Sequence, residues 1–147
     1  MSMHLLKPAA FICAAVVLAP PLLAQNMLQT EDSFTLEIAP VKVTFTLQCV
    51  FKTECFEGEA CAETNFGAQL NVVAGGLTET DMVVQSDLVS DAGDATLLGV
   101  SSGKAMSLAR GGFDARHLLT IAQDGAARYT VHYADGPMFI NYLGACK

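Results

Sequence analysis

The clearest pattern in this chain is an alternation of apolar and polar residues that begins at Val41. Val, Phe, Leu and Cys occupy the odd positions from 41 to 51, while Lys, Thr and Gln occupy the even positions as far as 48. Successive side chains of a β-strand point to opposite faces of the sheet, so this period of two predicts a strand with one buried face. By that count Cys49 and Phe51 point into the core.

A second alternation runs through residues 117–146 and predicts three antiparallel strands in a meander. Directly opposed residues of paired strands must lie on the same face of the sheet. A two-residue turn would oppose apolar side chains to polar ones. A three-residue loop, 123–125, with Gly125 in the left-handed conformation, instead sets Leu119 against Tyr129. We therefore expect the three-residue loop.

The last turn of the meander contains Pro137, which has no N–H to close a tight hairpin. We therefore expect a four-residue loop, 134–137, which sets Tyr133 against Met138 on the apolar face. The opposite face is mostly polar. It carries Arg116, Thr120, Arg128, Thr130, His132 and Asn141, with Leu118 and Phe139 among them.

The remaining chain shows shorter stretches of the same kind. They predict strands over residues 34–38, 66–72, 82–86, 95–100 and 105–109, and residues 77–81 are compatible with a single helical turn. Short strands about ten residues apart, with Gly-rich turns and no long helical period, are typical of small all-β domains. We predict a single antiparallel β-barrel or β-sandwich of about eight or nine short strands.

The N-terminus has the layout of a signal peptide. Lys7 precedes an apolar run, 9–18, which is followed by two prolines and then by Ala24. A membrane span needs about 20 apolar residues, and this run is about half as long. We expect cleavage near Ala24, export to the periplasm or the medium, and no stable membrane insertion of the mature chain. The domains are then a signal peptide (1–24), a flexible arm (25–33) and one all-β domain (34–147).

Export to an oxidising compartment favours disulfides. The four cysteines beyond the signal peptide, Cys49, Cys55, Cys61 and Cys146, allow three pairings. We favour Cys55 with Cys61, closing a short loop, and Cys49 with Cys146, joining an early strand to the last one. The other pairings would bond the inward-facing Cys49 to its own loop. By the loop-entropy model, the long disulfide stabilises the folded state by roughly 4 to 5 kcal/mol and the short one by about 2 to 2.5 kcal/mol.

The net charge of the chain limits the classes of partner that we expect it to bind. The formal net charge is −7, whereas nucleic acids and anionic membranes favour proteins rich in Lys and Arg. Four glutamates, Glu54, Glu57, Glu59 and Glu63, lie in and around the cysteine-rich stretch. Their spacing lacks the regular pattern of a calcium loop, and a landing surface for a basic protein is the better interpretation. The cysteine spacing is also unlike that of zinc sites, so we predict no metal and no cofactor.

No catalytic motif is present. The chain lacks a Gly-x-Ser-x-Gly elbow, a His-Glu-x-x-His helix and a Walker loop. His117 and His132 fall on opposite faces of the predicted meander and cannot share an ion. His132, with Arg116 and Arg128, is a candidate for anion recognition or for a general base, although a surface histidine is the simpler interpretation. We predict a protein that is not an enzyme.

Small size, export, acidity and cysteine clips resemble those of exported bacterial inhibitors of c-type lysozyme. Those proteins are small, cysteine-clipped antiparallel β-barrels that bind a basic enzyme. The turn formed by Ser101, Ser102, Gly103 and Lys104 is similar to their serine- and lysine-bearing inhibitory loop, and the resemblance implies contacts from Ser101, Ser102 and Lys104.

Three functional hypotheses follow. The leading one is a non-enzymatic β domain that binds a protein or a small ligand in the bacterial envelope, with inhibition of a basic lysozyme-like hydrolase as its specific form. The second is a carrier of an apolar ligand inside a barrel. The third is a hydrolase that depends on His132. The oligomeric state stays open.

Overall fold

The structure, a computed structural model, describes residues 36–136 and 138–147. They form a closed antiparallel barrel of eight strands that follow one another in chain order. The strands are β1 Val41–Phe56, β2 Ala62–Gly76, β3 Asp81–Ser90, β4 Gly93–Ser102, β5 Ala105–Gly111, β6 Ala115–Ile121, β7 Ala126–Tyr133 and β8 Met138–Cys146. The prediction of an all-β domain is confirmed, and because β8 pairs with β1 the architecture is a barrel. Within these residues no helix has the length and apolarity needed to cross a membrane.

The predictions for the N-terminal segment can be compared with the structure only from residue 36 onward. The signal peptide (1–24), the arm (25–33) and the first two residues of the strand predicted over 34–38 lie outside the described residues. That strand prediction was wrong for residues 36–38, which form a turn. A Cβ atom at Gly75 of β2 would lie 2.7 Å from the Cβ atom of Ala39, so the missing side chain makes room for this segment.

The suggestion of a helical turn at 77–81 was also wrong. Residues 77–80 form a bend and Asp81 begins β3. The hydroxyl of Thr78 accepts hydrogen bonds from the backbone N–H groups of Thr80 and Asp81, at 3.3 and 3.4 Å. A threonine side chain that bonds its own backbone two or three residues on favours a tight turn over a helix.

The meander has the predicted register. Leu119 lies opposite Tyr129, and Tyr133 lies opposite Met138. Gly125 has a φ of 87°, and its N–H donates to the carbonyl oxygen of Ala122 at 3.0 Å. The three-residue loop is therefore confirmed, and the left-handed glycine accounts for it.

Both predicted disulfides are confirmed. Cys49–Cys146 joins β1 to β8 with a Cα–Cα distance of 4.0 Å, and Cys55–Cys61 closes the cysteine loop (55–61) with 4.2 Å. Beside the first of them, a Cβ atom at Gly144 would lie 2.2 Å from a backbone oxygen of β1. The barrel closes here because a glycine lets β8 approach β1.

The interior is filled unevenly. A belt of leucines with relative exposure of 0 or 1% crosses the middle of the barrel, namely Leu70, Leu88, Leu97, Leu108 and Leu119. On the cysteine-loop side of this belt, four rings pack with centroid separations between 4.8 and 6.2 Å, and we call them the aromatic plug: Phe51, Phe66, Tyr129 and Tyr142. Such offset and tilted ring pairs add to the stabilisation from burial alone.

Candidate functional site

The opposite end of the barrel is open. The connections 77–80, 103–104 and 122–125 surround a cavity of about 690 Å³, which we call the open mouth. Its apolar lining consists of Val43, Phe45, Leu47, Ala74, Met82, Met106, Ile121 and Ala122. Its polar residues include Glu79, Ser101, Lys104, Gln123, Asp124 and Lys147. The lining is thus apolar at the walls and polar at the rim, as is usual for small-molecule sites.

The mouth is open because the strands are staggered. β1 begins at Val41, but β8 pairs with it only from Cys49 onward. The inward-facing side chains of Val43 and Phe45 therefore have no strand beside them on that edge among the described residues, and they are 37 and 41% exposed. Cys49, on the same face of the same strand, is 1% exposed.

A second and wider groove adjoins the mouth. It has a volume of about 840 Å³ and shares Met82, Ser101 and Met106 with the first cavity. It reaches the outer surface at Leu77 and Val100, which are 76 and 57% exposed. Apolar surface therefore continues from the interior over the rim of the barrel.

The serine-lysine turn (101–104) is anchored at this rim. The N–H of Gly103 donates to the carbonyl oxygen of Thr80 at 2.7 Å, and the N–H of Lys104 donates to Oε1 of Gln123 at 3.0 Å. Nε2 of Gln123 donates in turn to the carbonyl oxygen of Ser102 at 2.7 Å. Three neighbouring connections are thereby tied together, and Ser101 and Lys104 line the mouth.

The cysteine loop lies at the other end of the barrel, so the structure does not bring the acidic residues and the serine-lysine turn together. Glu57, Glu59 and Glu63 are exposed, and Glu57 adopts a left-handed φ of 44°. Glu54 differs from them. A register shift between Phe51 and Thr53 sets it opposite Tyr142, where it is only half-exposed.

The three residues of the candidate anion site, Arg116, Arg128 and His132, are also not all brought together. His132 lies opposite Arg116 on the outer face and stacks on Phe139 with a centroid distance of 5.6 Å. Arg128 lies opposite Thr120, four residue pairs away toward the start of β7. The structure therefore places Arg116 beside His132 and leaves Arg128 apart.

His117 points to the interior, as predicted from the opposed faces of the meander. Its Nδ1 lies 2.7 Å from the hydroxyl of Tyr129. Burial raises the pKa of Tyr129 to about 12, and the neighbouring Tyr133 and Tyr142 act in the same direction. Burial, followed by the positive charge of Arg110, lowers the pKa of His117 below its ordinary value. At neutral pH the phenol is protonated and can donate to a neutral imidazole.

Among residues 36–136 and 138–147, no group of three or more His, Cys, Asp or Glu side chains is arranged to hold a metal ion. Of the residues that line the mouth, the sequence pointed to Ser101 and Lys104 but not to the apolar wall. Val43 and Phe45 carry the same alternation as the buried half of β1, so nothing in that pattern distinguishes a wall of a cavity from a wall of the core.

The fold and this geometry define an eight-stranded antiparallel β-barrel that is plugged at one end and has an apolar cavity at the other. Comparison of the chain with protein-family models, with curated proteins and with solved structures finds no match.

Proposed function

We propose that this protein is a non-enzymatic binding protein of the bacterial envelope that takes an apolar group into the open mouth. The observation that carries the proposal is the cavity itself, with half-exposed Val43 and Phe45 on one wall. Its volume of about 690 Å³ lies within the range of small-molecule sites. Covering these side chains removes apolar surface from water, at about 25 cal/mol per Å².

Two further features support an apolar ligand. Met82 and Met106 lie in the wall shared by the mouth and the adjoining groove. Methionine side chains are flexible and polarisable, so they adapt to ligands of varied shape. The rim carries charges of both signs, Lys104 and Lys147 with Glu79 and Asp124, which favours a neutral or zwitterionic polar end on the ligand. The two disulfides are consistent with an oxidising compartment.

A fluorescent fatty acid tests this proposal. We expect the purified protein to bind the probe with enhanced emission and to release it when palmitate is added. Val43→Asp, which places a charge in the mouth, should weaken binding at least tenfold. Val89→Asp is the matched control, because Val89 is similarly exposed, 42% against 37% for Val43, but lies outside the mouth. Absence of probe binding, or equal losses in the two variants, would overturn the proposal.

The acidic cysteine loop supports a second candidate function, binding of a basic protein such as a c-type lysozyme. The Cys55–Cys61 clip holds Glu57 and Glu59 exposed on a short loop. Exposed charges steer association and make it sensitive to salt. The double charge reversal Glu57→Lys and Glu59→Lys should weaken binding to lysozyme and reduce its dependence on salt.

A matched control for that experiment is Glu37→Lys with Asp91→Lys, two exposed carboxylates outside the loop. Both double variants change the net charge by the same amount. If they weaken lysozyme binding equally, the effect belongs to net charge and the cysteine loop has no special part in it.

A further inference from the structure

One edge of β1 has no partner strand in the described part of the chain. Residues 41–47 pair with β2 on one side. On the other side the β8 ladder reaches Cys49, and Gln48 exchanges two backbone hydrogen bonds with Lys147, at 2.8 and 2.9 Å. In an antiparallel ladder alternate residues direct their N–H and C=O groups to the same edge. Lys42, Thr44 and Thr46 share the direction of Gln48 and so present their backbone groups to the open edge.

Apart from Lys42 near its start, this edge lacks the features by which proteins usually protect exposed strands. Such strands commonly carry lysines, prolines, bulges or inward-pointing charges. In β1 the register shift lies beyond the free edge, between Phe51 and Thr53, and the only proline nearby, Pro40, precedes the strand. The inward-facing residues of the free segment, Val41, Val43, Phe45 and Leu47, are all apolar. The edge is therefore competent to pair with another strand.

The free edge and the apolar mouth are parts of one site. Val43, Phe45 and Leu47 of this same segment form a wall of the cavity. A strand added at the edge would direct alternate side chains to the face that lines the cavity and the others to solvent. Backbone groups recognise a polypeptide, and the cavity recognises apolar side chains at every second position.

We infer that the mouth receives an extended segment of another polypeptide, which pairs with residues 41–47 of β1 and inserts alternate apolar side chains into the cavity. The inference rests on the proposed function and specifies its ligand class. Two other occupants are disfavoured. Two copies of this chain each carry a formal net charge of −7 and repel one another. The chain just before β1 packs through Leu36 and Ala39 beside Gly75 of β2, the strand that pairs with the other edge of residues 41–47.

Three synthetic peptides test the inference. The parent is an acetylated and amidated nonapeptide that alternates Thr with Leu and carries a terminal Lys for solubility. One derivative is N-methylated at its Thr residues and the other at its Leu residues. Only one of these two sets of N–H groups can face β1, whichever direction the added strand runs. We expect the parent to bind, one derivative to lose at least tenfold in affinity, and the other to bind within threefold of the parent.

Variants of the protein test the same contact from the other side. Thr44→Pro removes an N–H that faces the free edge and leaves the pairing with β2 to the odd-numbered residues. We expect it to weaken peptide binding at least tenfold, and by more than it weakens fatty-acid binding. Thr44→Val keeps the N–H and the β-branched shape and should bind the peptide like the parent protein. If near-ultraviolet circular dichroism shows that Thr44→Pro is unfolded, the two N-methylated peptides test the inference on the unaltered protein.

The outcomes separate the inference from the proposed function. Equal binding of both N-methylated peptides, or fatty-acid binding without any peptide binding, overturns the inference and leaves the proposed function standing. Binding of neither probe overturns both. Light scattering that shows a dimer dissociated by the parent peptide, but not by the derivative that has lost affinity, would make a second copy the occupant and would overturn the choice of partner.

Discussion

The two halves of β1 have the same pattern of residues and opposite environments. Phe45 and Phe51 are both aromatic, both inward-facing and six residues apart. Phe51 is 0% exposed within the aromatic plug, whereas Phe45 is 41% exposed in the open mouth. The difference arises from neighbours distant in sequence, because β8 lies beside the second half of the strand and not beside the first. A pattern of alternation specifies a face of a sheet, and the stagger of the barrel decides whether that face is covered.

The closed half depends on the Cys49–Cys146 bridge, and its removal should have the largest effect. The bridge links residues 97 apart, while Cys55–Cys61 links residues 6 apart. Replacing both cysteines of the long bridge by alanine should lower the free energy of unfolding by about 4 to 5 kcal/mol, against about 2 kcal/mol for the short one. Urea denaturation of the two double variants measures this. A larger loss for the short bridge would contradict the comparison.

Alanine substitution of the two phenylalanines compares the halves directly. Phe51→Ala leaves a cavity among tightly packed rings and should lower the free energy of unfolding by about 3 to 4 kcal/mol. Phe45→Ala removes a ring that water already reaches and should lower it by about 1 kcal/mol or less. Equal losses in thermal or urea unfolding would show that the mouth is as well packed as the plug.

The smallest expected effect is a pH dependence confined to the plugged half. Burial lowers the pKa of His117 in the folded protein, while the unfolded chain has the ordinary value of 6.5. The unfolded state then binds more protons near pH 6, so stability is fully present above pH 6.5 and is lost as the pH falls through the folded pKa. His117→Gln should reduce this dependence in unfolding experiments between pH 7 and about 5. The control His132→Gln, at an exposed position, should keep it.

Much of the barrel could be predicted because the sequence signals that specify its strands and turns are local. The alternation along β1 and the left-handed Gly125 together predict strands and register, since a slip of one residue would move every apolar side chain to the wrong face. The disulfide between Cys49 and Cys146 followed from the inward parity of both residues. Local signals failed at 36–38, where a polar-apolar alternation was present but the segment folds as a turn beside Gly75.

Less of the candidate site could be predicted from the sequence. The serine-lysine turn was identified from its residues, but its anchoring to Gln123 and Thr80 depends on loops that are distant in the chain. The sequence predicts the four glutamates as one exposed group, yet a register shift in β1 sets Glu54 opposite Tyr142, where it is only half-exposed. A shift of this kind changes the parity of every later residue and leaves no reliable trace in composition or spacing.

The sequence by itself determined the class of structure, the faces of the strands, two turns of the meander and the pairing of the cysteines. Each of these depends on residues close in the chain or on the requirement that one face be buried. Only the tertiary structure decided that the sheet closes as a barrel, that aromatic rings fill one end, and that the free edge of β1 borders an apolar mouth at the other. Those features depend on how far each strand extends past its neighbours, and that stagger is set by contacts across the whole barrel.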